Sequence, residues 1–151
     1  MVVLKNFTEA LAKYKLLVYF FIFWGLSFIL WALCSFISYG FGVSDIFDVF
    51  WILAYLMELF AGIVLLIFGL RLTGINLLSG ITVSMFLVYF LILWGASFVF
   101  WGLYDILDLS FLASDPLCYL GGLADFFAGV MLVLFSWNLL SEKEEVGSEM
   151  A

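Results

Sequence analysis

The chain has 151 residues, 68% of them hydrophobic and 11% charged, with a mean hydropathy of +1.28. A soluble domain is closer to half apolar and a quarter charged, so composition excludes a water-soluble globule. The formal net charge is −7 with five basic residues and no histidine, which leaves no basic patch for nucleic acid and no imidazole for catalysis or a histidine-built metal or haem site.

The opening stretch "MVVLKNFTEALAKYK" is mildly amphipathic and is expected to lie on the membrane surface as an anchor. The apolar run after it is too long for a signal peptide and lacks a small-residue cleavage site, so no cleavage is expected. A spanning helix needs about 20 apolar residues. Four segments meet this, at 14–38, 47–70, 84–107 and 116–140. The first carries "WGLSFILW" from Trp24, and the third carries "WGASFVFW" from Trp94. Turn residues punctuate the chain at "SYGFGVSD" after the first span and "DLSFLASD" after the third. The last residues, 141–151, form an acidic tail expected to be disordered and cytoplasmic.

Charge placement predicts orientation. Lys5, Lys13 and Lys15 precede the first span, Arg71 separates the second and third, and Lys143 follows the fourth. The other side holds Asp45, Asp48, Asp105, Asp108 and Asp115 without a base. The positive-inside rule therefore places both termini in the cytoplasm. Aromatics such as Trp51, Tyr104, Tyr19 and Trp137 fall near the span ends and read as interfacial anchors.

The halves repeat. At an offset of 70, residues 17–33 match 87–103 at 11 of 17 positions, and at an offset of 67 "ELFAGIVLLIF" from Glu58 faces "DFFAGVMLVLF" from Asp125. Tryptophan, glycine, serine and an acid recur in order, which chance similarity of apolar helices does not produce. The expected fold is an all-α membrane protein with four transmembrane helices. They form an up-down-up-down bundle of two tandem, parallel-oriented hairpins, at about 14–73 and 84–140.

Within each octet, residues three, four and seven apart share a helix face. Trp24, Ser27 and Trp31 form one stripe, and Trp94, Ser97 and Trp101 form its counterpart. Folding each hairpin about its turn puts Ser27 level with Glu58 and Ser97 level with Asp125. That level is roughly 20 Å from the turn, near mid-bilayer. A charged acid there costs about 2.5–3.5 kcal/mol or more. Glu58 and Asp125 are therefore expected to be neutral and hydrogen-bonded to hydroxyl or indole donors of either octet. Gly62 and Gly69, Gly122 and Gly129, and the octet glycines Gly25 and Gly95 are candidates for close helix packing. Cys34 and Cys118 lie at similar depth, and a disulfide is conceivable if the first and fourth helices are neighbours.

No Cys-x-x-Cys, phosphate loop or long catalytic loop is present, so neither enzyme chemistry nor a cofactor is expected. Two functions fit. One is a tetraspan structural or accessory subunit in the lipid bilayer, partnered by copies of itself or other membrane-protein subunits. The other is a proton- or cation-coupled transporter or channel using Glu58 and Asp125.

Overall fold

The computed structural model describes residues 6, 10–11, 14–39, 46–75, 77–78, 80–107 and 116–148. Residues 40–45 of the first predicted turn, all of the second, Lys5, Lys13, Asp45, Asp108 and Asp115 lie outside the described residues, as do the side chains of Cys118 and Lys143. The chain is all-helical among the described residues: α1 Lys15–Tyr39, α2 Ile46–Leu72, α3 Val83–Leu107 and α4 Pro116–Ser148. All four are long and apolar enough to cross a membrane, which marks an integral membrane protein. Each is apolar on every side, as a lipid solvent requires.

The helices form a bundle in which, among the described residues, each backbone approaches only its neighbours in chain order: α1 on α2, α2 on α3, α3 on α4. The inner pair, α2 and α3, is therefore the more buried. Lipid tails are as apolar as leucine, so helix association here rests on close packing and polar contacts. The main core gathers Ala61, Leu65 and Phe68 of α2 with Phe86 and Phe90 of α3. Leu11, from the stretch expected to lie on the surface, is buried in the same cluster. A second cluster holds Ala32, Phe36 and Tyr55.

One expectation differs. The tail does not begin as disorder, because α4 runs on to Ser148. Nucleation is the costly step of helix formation, and glutamate and lysine readily extend a helix the span has already started.

The link between α2 and α3 is tightly organised. Gly74, at φ 93°, gives α2 a left-handed end. The Gly74 amide donates to the Arg71 carbonyl and the Ile75 amide to that of Leu70, so the last helical carbonyls stay bonded. Arg71 Nη1 then reaches the carbonyls of Leu77 at 3.0 Å, Leu78 at 2.8 Å and Ile81 at 2.7 Å. Its guanidinium also lies over the Phe86 ring, 5.5 Å from the centroid. Leu78 adopts a positive φ of 53°, a conformation that costs a side-chain-bearing residue about 1 kcal/mol and that these bonds hold in place. Arg71→Ala is expected to cost about 1 kcal/mol, with a roughly fivefold rise in amide hydrogen exchange at 73–82. Unchanged exchange there would show the arginine to be a bystander.

Candidate functional site

The site is built where α2 meets α3. On α2, Glu58, Ala61, Leu65 and Phe68 recur at helical spacing, and the last three are buried against α3. On α3 the facing stripe is Phe86, Phe90, Trp94, Ser97 and Trp101. The Trp101 indole Nε1–H donates to Glu58 Oε1 at 2.9 Å. Glu58 Oε2 is also buried and has no hydrogen-bond partner among the described residues. The indole is fixed edge-on between two tyrosines: Tyr55 at 5.1 Å and 78°, and Tyr104 at 6.2 Å and 90°. Trp51 packs edge-on against Tyr55 at 4.7 Å. Such geometries are each worth about 0.5–1.5 kcal/mol beyond area burial.

Trp24 of α1 meets the same region from the other side. Its ring lies 5.4 Å from Trp94 at 84° and 5.6 Å from Phe90 at 66°. Phe90 and Trp94 stack at 5.4 Å. An aromatic tie therefore joins α1 to α3 although their backbones stay apart.

No known family, curated protein or solved structure matches the chain. The site must be read from its own geometry.

The serines do not meet the acids. Ser97 is buried, but its Oγ donates to the Trp94 carbonyl of its own helix at 2.8 Å. A serine within a helix has this local alternative always at hand. Ser27 is exposed on α1 in a groove shared with Phe23, Leu30, Trp31 and Cys34. Trp31 is likewise exposed. Asp125 is only partly covered on α4, and no described residue bonds to it. Of the two acids, only Glu58 is brought to an octet, and it meets the tryptophan of the other half.

The glycines bring the helix backbones together. A Cβ on Gly25 would stand 2.6 Å from the Leu66 amide and 2.8 Å from the Gly62 carbonyl. A Cβ on Gly62 would stand 2.8 Å from the Gly25 carbonyl, and one on Gly69 would stand 2.7 Å from Ile22. These three close α1 on α2. Gly95 and Gly129 approach each other in the same way between α3 and α4. A Cβ on Gly122 would fall on the Asp105 side chain. Sequence reasoning missed Gly102, where a Cβ would stand 2.5 Å from both the Gly122 carbonyl and the Phe126 amide. Its position seven residues after Gly95 was the signal.

The cysteine bridge required α1 and α4 as neighbours. They make no close backbone approach among the described residues, and Cys34 is a free thiol with Sγ 4.0 Å from Ser38 Oγ.

Proposed function

We propose that the chain is a small tetraspan subunit of a membrane assembly, structural or accessory rather than catalytic. It is made of two duplicated hairpins in up-down-up-down order, with both termini cytoplasmic. The observation that carries the subunit reading is the Trp101–Glu58 bond. The one deep acid held by an octet serves as a tie between α2 and α3, and the outer flanks of α1 and α4 remain broad, aromatic and uncovered. Contiguous apolar surface of that kind suits contact with lipid or with another membrane protein.

Two further observations support the duplication. Gly25 meets Gly62 as Gly95 meets Gly129, and the offsets of 70 and 67 equate these pairs. A Cβ on Gly62 would touch Ile29 and one on Gly129 would touch Val99, again equivalent positions. The charge asymmetry read from the sequence supports the cytoplasmic termini.

A second reading, transport, is favoured by the partnerless Glu58 Oε2, an acceptor open to a proton or cation. Reconstitution decides between the two. Liposomes holding the protein should show no proton or cation flux above empty liposomes, while mild-detergent mass spectrometry finds the chain in an assembly. Flux that disappears in Glu58→Gln/Asp125→Gln, with the protein otherwise intact, would replace the subunit reading with the transport one.

A further inference from the structure

The inner interface of this chain is a template for an outer one. Under the duplication, α3 corresponds to α1 at an offset of 70, and α2 corresponds to α4 at an offset of 67. Several of the residues that close α2 on α3 have counterparts on an exposed flank, although the counterpart of Trp94, Trp24, packs inward on Phe90 and Trp94. On α3, Phe86 and Phe90 are each 2% exposed; their counterparts on α1, Leu16 and Phe20, are 87% and 52% exposed. Ser97 is buried and Ser27 is exposed. On α2, Phe68 is 0% exposed, while its α4 counterpart Phe135 is 55% exposed. Ala61 is buried and Ala128 is exposed. The bond at the centre transposes as well: Trp101 to Trp31, which is 61% exposed, and Glu58 to Asp125, which no described residue satisfies.

We propose that the chain assembles head to tail with copies of itself, α4 of one chain docking on α1 of the next as α2 docks on α3. Trp31 of one copy then donates its indole N–H to Asp125 of its neighbour. The relation is heterologous, so it closes into a ring or continues as a row within the bilayer plane. The two α1 and α4 flanks are complementary to each other and not to themselves. This excludes back-to-back pairing, because two copies of the α1 flank would bring indole donors together with no acceptor. In the internal template the acid loses its exposure to hydrocarbon and the aromatics gain ring contacts, and both gains carry over to the docked copies. The proposal rests on the subunit reading and on the duplication, and it names the partner as this same chain.

Cysteine cross-linking of the full chain in liposomes tests it, in a Cys34→Ser/Cys118→Ser background. Two differently tagged proteins, one Trp31→Cys and one Asp125→Cys, are mixed and oxidised; a second mixture uses Phe20→Cys and Phe135→Cys, so that the result does not depend on one pair folding. Glu58→Cys/Trp101→Cys within a single chain provides the reference for the geometry. The expected result is a covalent dimer carrying both tags in both mixtures, and a ladder of higher species when one chain carries Trp31→Cys and Asp125→Cys together. Cross-links only between like-substituted chains would overturn the proposal, as would closure of the doubly substituted chain on itself or the absence of any product from either mixture. The subunit reading fails separately. It survives a negative cross-link if the parent chain is recovered with another membrane protein, and it falls if the parent carries flux.

Discussion

Gly25→Ala is expected to destabilise the fold by about 3 kcal/mol, near the upper end for overpacking, because the atoms in the way belong to backbone. The added Cβ would stand 2.6 Å from the Leu66 amide and 2.8 Å from the Gly62 carbonyl, neither of which can rotate aside. The two helices must move apart, and the carbonyl and ring contacts along α1 and α2 loosen together. Gly95→Ala should cost less, since its nearest contacts, Val133 Cγ2 at 3.0 Å and the Gly129 carbonyl at 3.1 Å, stand a few tenths of an ångström farther off. Gly121→Ala, with nothing within 4 Å, should be neutral or stabilise by up to about 1 kcal/mol through helix propensity. Unfolding titrations in bicelles would rank the three, and equal losses at Gly25 and Gly121 would refute the packing account.

Trp101→Phe is the second large effect. It keeps an aromatic ring for Tyr55 and Tyr104 but removes the only donor to Glu58 among the described residues. Since Oε2 already lacks a partner, the carboxyl is left entirely unsatisfied, at an expected cost of about 1.5 kcal/mol. Glu58→Met alone strands the indole N–H and should cost less. The double variant Trp101→Phe/Glu58→Met should recover most of the loss, because removing both partners of a buried bond is far cheaper than removing one. A double-mutant cycle reads the coupling directly, and losses that simply add would show that the bond contributes nothing.

Much of the framework was legible in the residues. The four apolar runs at 14–38, 47–70, 84–107 and 116–140 fall within two residues of the helices, except where α4 continues to Ser148. Length and composition alone decide a span, because no other regular structure satisfies every backbone group within one segment in lipid. Glycine spacing was legible for a related reason. In hydrocarbon, only small residues let backbones meet, so Gly25, Gly62, Gly95 and Gly129 announce contacts before any partner is known.

The pairing of polar groups was not legible. Depth arithmetic set Ser27 beside Glu58, but depth fixes only the level along a helix and not which neighbour it turns toward. Gly62 closes on α1, yet Glu58, one turn earlier on α2, reaches α3 and finds Trp101, one turn beyond Ser97. A serine can also satisfy itself locally, as Ser97 does with the Trp94 carbonyl, whereas a tryptophan N–H must reach across to another helix.

The α1–α2 and α3–α4 pairs differ at one end. Where α3 and α4 set Gly102 directly on Gly122, α1 and α2 have Ala32 and Tyr55, side chains in place of bare backbone. The α1–α2 and α3–α4 contacts are therefore not interchangeable. A ring of the proposed kind would repeat once per chain and not once per helix pair.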